Sequence, residues 1–265
     1  MPQLRNAEIV DVLSADFQLR YEPNFACANA ISIGKMLPGL RGFWAMSATA
    51  STGEARDMSD QDMHLTYAGN PTYGYQGLAP YITFDGTGDY LSRSDTANLD
   101  ITGTETIYAP NVRGLTLGGW FYRSVAEAEH SLISKWNTYL TNQRSYMLYV
   151  NSSNQVVFSV STDGTSVVSV THTETITTNQ WTFIAGRFKP GSELKVWKNL
   201  ITRQNTTEIP SSIFNSTANL NVGAYSNGNF GRFTGRASLC FLSAMYLSDY
   251  FITNFYHQTR ALFGK

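Results

Sequence analysis

The sequence predicts an all-β protein: a sandwich of two antiparallel sheets with an N-terminal arm and a short C-terminal helix. Three observations carry this. In Gly114-Leu-Thr-Leu-Gly-Gly-Trp-Phe-Tyr122, the residues Leu115, Leu117, Gly119 and Phe121 share one face of an extended segment, and Thr116, Gly118, Trp120 and Tyr122 share the other. Such alternation with aromatics is the pattern of a strand, and the paired glycines admit the close approach of another layer. Gln180-Trp-Thr-Phe-Ile-Ala-Gly-Arg-Phe188 has the same character, so the two are expected as central strands of stacked sheets. Third, extended segments recur at short, even spacing with turn residues between them, which means a sandwich or jelly roll rather than alternating strand and helix.

The elements follow in order. Residues 1–38 differ from the rest. Leu4, Ile9, Val12, Leu13 and Phe17 approximate a helical stripe, and the stretch from Asn24 to Pro38 is small and apolar without a clear period. These residues are expected to form an arm that docks on a neighbouring subunit, or else to pack on their own domain, with the domain itself spanning 39–265. Gly42–Met46 is a first strand, Asp57–Asp62 a polar loop and His64–Tyr67 a return strand. Gly69–Gly77 reads as a Gly/Pro/Tyr loop, and Asp85-Gly-Thr-Gly-Asp89 as a tight turn between Tyr81–Phe84 and Tyr90–Ser92. Leu99 to Asn111 reads as a surface connection. Ser131–Trp136 is a strand, Ser145–Val150 and Gln155–Val160 form a hairpin, and Ser166–Thr171 and Glu193–Trp197 are further strands. Asn221–Tyr225 and Ala237–Tyr246 are the last strands. Ser248-Asp249 is placed to cap a helix through Ala261, with Phe251, Phe255 and Leu262 on one side.

Composition bounds the function. The chain has 265 residues, 42 % hydrophobic and 13 % aromatic, enough for a sizeable core. Only 15 % is charged, against about 25 % in an average domain. A net charge of −1 gives no footprint for nucleic acid. No apolar run approaches the roughly 18 residues of a membrane span. Cys27 and Cys240 are neither a disulfide framework nor a metal cluster and read as buried thiols. The charged first residues do not form a signal peptide, which suggests release by lysis or within a particle.

Several pieces together resemble a laminin-G-like domain of the concanavalin A-like jelly-roll type. They are Gly42-Phe-Trp-Ala-Met46, Phe84-Asp-Gly-Thr-Gly-Asp-Tyr-Leu91, Leu115–Phe121, Leu132-Ile-Ser-Lys-Trp136, Trp181-Thr-Phe-Ile184, Asn221–Gly228, Gly235-Arg236 and Tyr246-Leu-Ser248. The resemblance covers about residues 40–263 and leaves out the arm. It departs from the family at Asn199-Leu200, where relatives often carry Asn-Gly, and at Ser238, where many carry an acid. Domains of this style occur in phage virion proteins, as capsid decorations or tail components. The resemblance thus implies a structural or binding module in a virion, made in the host cytoplasm, with other virion subunits or further copies of itself as partners.

The residues bear on three chemistries. Glycoside hydrolases of this fold place paired carboxylates on one strand as Glu-x-Asp-x-Glu; no such triplet occurs, and Glu127-Ala-Glu129 sits in a solvated turn sequence. Calcium needs several oxygen ligands; Asp57, Asp60 and Asp62 in one loop, with Asp85 and Asp89 in another, are the candidates. A sugar needs exposed aromatics for stacking and amides for its hydroxyls; Tyr73, Tyr75, Tyr225, Asn227 and Asn229 are the candidates. For assembly the candidates are Leu4, Ile9, Leu13, Phe17 and Phe25. The expectation is therefore a non-enzymatic module on a phage particle, attached through its arm and binding surface glycans. A stand-alone lectin is the alternative, and an atypical glycoside hydrolase the third reading.

Overall fold

The computed structural model describes residues 32, 34–46, 53–77, 79–126, 128–139 and 142–265. These residues form two antiparallel sheets stacked face to face, as the alternation requires. In chain order the strands are β1 Leu40–Trp44, β2 Glu54–Ala55, β3 Leu65–Ala68, β4 Thr72–Gln76, β5 Ala79–Asp85, β6 Tyr90–Arg93, β7 Arg113–Arg123 and β8 His130–Trp136. They continue as β9 Arg144–Val150, β10 Gln155–Ser161, β11 Val167–Thr175, β12 Trp181–Lys189, β13 Glu193–Lys198, β14 Ile201–Asn205, β15 Leu220–Val222 and β16 Thr234–Met245. One helix, α1 Asp249–Thr259, follows, with a 3-10 turn at Arg260–Phe263.

The first sheet runs β14-β13-β12-β7-β16-β5-β4, with β1 also on β16. The second runs β11-β10-β9-β8-β15-β6-β3-β2. β7 and β12 are neighbours in the first sheet, with Trp181 opposite Tyr122 and Phe188 opposite Leu115. This corrects the expectation of one strand in each layer. Both strands are buried on both faces, because a second apolar layer covers the outside of their sheet.

The alternation in β7 divides two cores. Leu115, Leu117 and Phe121 point between the sheets and meet Leu132, Leu148, Val150 and Phe158 of the second sheet. Trp120 points outward into a second cluster with Trp181, Phe183, Phe241, Ile252, Phe255, Tyr256 and Phe263. There the Trp120 ring stacks on Phe263 at 4.4 Å, and its indole N–H donates to Thr259 Oγ1 at 2.9 Å. The C-terminal helix thus forms a third layer.

The structure differs from expectation in three further places. The expected loop at 69–77 contains β4, paired with β5, since pairing satisfies backbone groups that an extended Tyr-Gly-Tyr would otherwise leave open. The connection after Leu99 is not all surface, because Leu99 and Ile101 lie in the inter-sheet core. Ser248 occupies the N-cap position without a side-chain cap bond. Asp249 instead accepts from Arg187 and Lys195, each at 2.7 Å. Its place in the first turn still favours the helix dipole. The buried Arg187 guanidinium lies over the rings of Trp197 and Tyr246 and also donates to Glu193 and to the Leu247 carbonyl.

The end of the expected arm packs on the domain. Leu37 is buried in the outer cluster, and the Pro38 carbonyl accepts from Ser243 Oγ at 2.6 Å. Leu4, Ile9, Leu13, Phe17 and Phe25 lie outside the described residues, as does Cys27. Cys240 is buried, and burial pushes its thiol well above the ordinary range.

Candidate functional site

The site with the most ligand-like chemistry is built on the second sheet by two turns, one after β8 and one after β15. In the second, Tyr225 and Phe230 pair across a tight turn, Tyr225 N–H to the Phe230 carbonyl at 3.0 Å and the reverse at 3.3 Å. Ser226, Asn227 and Gly228 take left-handed backbone conformations between them. Gly228 is required there, since a Cβ would lie 2.3 Å from the Tyr90 ring.

Polar bonds tie the two turns together. Ser226 N–H donates to the Trp136 carbonyl at 2.9 Å, and Thr138 N–H donates to Ser226 Oγ at 2.9 Å. Asn229 Nδ2 donates to the Ser226 carbonyl at 2.7 Å. The result is a column of three rings. Tyr225 and Phe230 stack at 5.5 Å, and Phe230 meets Tyr139 at 5.3 Å. Tyr139 is 64 % exposed and Phe230 41 %. Asn227 and Asn229 are exposed beside them.

Charged groups frame the column. Tyr225 donates its hydroxyl to Glu129 Oε1 at 3.0 Å. Burial, and then the Glu129 charge, push the Tyr225 phenol well up, so it stays neutral at any physiological pH. Arg144 lies close enough for its charge to oppose that shift; its Nη1 donates to the Thr165 carbonyl at 2.7 Å. Chemically this is a half-wet aromatic surface with amide, carboxylate and guanidinium groups at its margin.

Of the five sugar-binding candidates, Tyr225, Asn227 and Asn229 share this turn. Tyr73 and Tyr75 lie instead on β4, the edge of the other sheet. Tyr73 donates to the Glu54 carbonyl at 3.3 Å and packs on Tyr67, and burial raises its phenol to about 12. Tyr75 is 59 % exposed there. Sequence reasoning missed Tyr139, Phe230, Glu129 and Arg144. The available signal was a large aromatic set among turn residues, as in Ser226-Asn-Gly-Asn-Phe230 and Asn137-Thr-Tyr139.

The five aspartates do not form one ligand set. Asp57 accepts the N–H groups of Phe43, Ser59 and Met63 and the Ser59 hydroxyl. Asp85 accepts the Thr87 hydroxyl and then the Thr87, Gly88 and Asp89 N–H groups, which together hold its carboxyl far below the usual range. Asp89 accepts Asn70 and Asp85 N–H groups. Asp60 and Asp62 are exposed and lie against Lys35 and His64. These carboxylates build turns and hold loops. Among the described residues, no group of three or more His, Cys, Asp or Glu side chains is arranged to hold an ion. The donor set does not fit calcium.

Comparison with known proteins gives three findings. The model of a family described as concanavalin A-like lectin/glucanases superfamily matches residues 85–238, more than half of the chain. Solved structures share the fold at low identity. The receptor binding domain of botulinum neurotoxin C/D mosaic serotype aligns with a TM-score of 0.63 at 12 % identity, covering 83 % of this chain and 51 % of that one. The ligand binding domain of botulinum neurotoxin serotype D, solved with N-acetylneuraminic acid, aligns at 0.64 and 11 %, covering 86 % and 52 %. The binding domain of Paraclostridial Mosquitocidal Protein 1 aligns at 0.62 and 9 %, covering 82 % and 52 %. This chain therefore spans about half the length of each. No curated protein matches the sequence significantly.

Proposed function

Because the chain belongs to the concanavalin A-like lectin/glucanases superfamily, we propose that it is a non-enzymatic module that binds carbohydrate on the Tyr225–Phe230–Tyr139 column. The carrying observation is the column itself: Tyr139 and Phe230 are held open to solvent by turns that also expose Thr138, Asn227 and Asn229. A pyranose ring has a face of C–H bonds that packs on the electron-rich face of an aromatic ring. Its hydroxyls need donors and acceptors at the rim, which Asn227, Asn229, Glu129 and Arg144 supply. The rigid turn keeps the ordering cost of binding low. The complex of the serotype D domain with N-acetylneuraminic acid supports a glycan at the level of fold analogy. Non-catalytic action fits a sequence without the Glu-x-Asp-x-Glu strand triplet.

A glycan array tests this. Phe230→Ala and Tyr139→Ala should each weaken binding at least tenfold, which is about 1.4 kcal/mol. Stability should change by less than about 1 kcal/mol, because both rings are partly in water. Binding to no glycan, or full binding by both variants, would overturn the assignment.

The finer reading is that the module rides on a phage particle, as a capsid decoration or tail component, alone or as an oligomer, with residues 1–38 as its attachment. Its support is the apolar set Leu4, Ile9, Leu13, Phe17 and Phe25. Mass spectrometry of purified particles tests it, and absence of the chain from them would leave the stand-alone lectin.

A further inference from the structure

Where β7 begins and β12 ends, a cleft of about 200 Å³ opens between Gly103, Thr104, Pro110, Arg113, Lys189 and Pro190. The sequence shapes it. Gly103 has a left-handed backbone, and a Cβ there would lie 2.8 Å from the Phe188 ring and 2.9 Å from Pro190. Glycine therefore lets this loop close on the end of β12. Arg113 Nε donates to the Tyr108 carbonyl at 3.0 Å, which fixes the side chain. Among the described residues its two terminal amino groups make no hydrogen bond. Lys189 Nζ lies 4.8 Å from the centre of the Tyr246 ring and likewise has no hydrogen-bond acceptor among them.

Both cations lack a carboxylate: among the described residues neither forms an ion pair. Glu193, opposite Lys189 on β13, is committed to Arg187, which also holds Asp249. Glu105 is turned into its own loop. Its Oε1 accepts from the N–H groups of Thr102 and Gly103, and its Oε2 is buried. Arg41, 5.9 Å from the centre of the Tyr108 ring, adds a third cation without an acid. Cations left uncompensated in a chain of net charge −1 repel one another, and an anion between them relieves that repulsion. We propose that this cleft is a second binding site, separate from the aromatic column, and that it takes the phosphate monoester group of a small ligand. Such a group carries about −1.5 to −2 charges at pH 7 and three strong acceptor oxygens. One guanidinium and one ammonium match that charge and supply charge-assisted donors from two strands. A carboxylate or a sulfate ester balances only one of the two.

Titration of the full chain at low salt with glucose 6-phosphate, O-phosphoserine, glucose 6-sulfate and glucose tests this, read by calorimetry or NMR shifts. Both phosphate esters should bind. Equal affinities would mean that the phosphate alone is read, and tighter binding of glucose 6-phosphate would mean that the sugar is read with it. Lys189→Gln should weaken both by roughly tenfold, the loss of one charge-assisted bond, and Lys189→Arg should restore them. Thr104→Glu changes an exposed residue at the rim, so the fold is kept while the added charge should abolish binding. Glycan binding on the column should be unchanged in Lys189→Gln. Because O-phosphoserine carries no sugar, a failed glycan array would leave this measurement standing. No binding of either phosphate ester, full binding by Thr104→Glu, or glucose 6-sulfate binding as tightly as glucose 6-phosphate would overturn the proposal.

Discussion

Replacing Trp120 with alanine tests the three-layer architecture directly. Trp120 is fully buried, and its partners span two layers. Phe183 on β12 approaches at 5.6 Å, while Tyr256 and Phe263 stack on it at 5.5 and 4.4 Å from the C-terminal layer. Its N–H reaches Thr259 Oγ1, which in turn donates to the Phe255 carbonyl. Truncating a buried Trp costs about 3–5 kcal/mol in lost transfer energy and cavity. The lost hydrogen bond accounts for about 1 kcal/mol within that total. The upper half of the range is expected, because three rings lose an aromatic partner together. Trp120→Phe keeps a ring and loses only the hydrogen bond and part of the fill, so about half the effect is expected. Urea unfolding at neutral pH measures both. Hydrogen exchange should show the change concentrated in α1, whose attachment to the sheet runs through this ring. A loss below about 1 kcal/mol for Trp120→Ala, or α1 protection unchanged, would refute the assignment of this ring as the pin between layers.

Three further outcomes are expected. His130 is buried and accepts Arg123 Nε–H at Nδ1, and burial first, then the Arg123 charge, lower its pKa to about 4. A histidine depressed on folding contributes stability present above pH 6.5 and lost as pH falls toward 4, here up to about 3 kcal/mol; His172 is shifted the same way, chiefly by burial. In His130→Gln that slope in denaturant midpoint against pH should flatten, and an unchanged slope would exclude His130 as its source. Calcium and EDTA should leave the melting temperature unchanged, because Asp57, Asp85 and Asp89 already accept backbone N–H groups; a rise with calcium would restore the five-aspartate site. Arg187→Met should destabilise by about 3–5 kcal/mol, since it leaves Glu193 and Asp249 without a buried partner, and a change under about 1 kcal/mol in urea would show that Lys195 suffices.

The legible parts of this protein were those set by local periodicity. The two faces of β7, read from Gly114 to Tyr122, are the two faces the structure shows. The hairpin at Asn151–Asn154 joins β9 to β10 as its turn residues indicate. The misread segments are those whose state depends on distant residues. β4 looked like a loop because Gly and Tyr dominate it and Pro71 precedes it, and β5 supplies the pairing that makes it a strand. Of the binding residues, Tyr225, Asn227 and Asn229 were legible because they share one turn. Tyr139 was not, because it meets Phe230 through bonds between two distant turns, such as that between Thr138 and Ser226, 88 positions apart.

By itself, then, the sequence determined the class of the fold, its strands and turns, and the absence of a carboxylate triplet. These rest on interactions between residues a few positions apart, which a pattern of two or a turn dipeptide records. Contacts across the chain settle which strands become neighbours, that a helical layer buries Trp120, and that three rings from two turns stand in one column. The structure also shows Asp57, Asp85 and Asp89 accepting backbone amides in their loops. Each of those depends on contacts across the chain, where burial and hydrogen-bond satisfaction are settled by the whole sheet and not by the local run of residues.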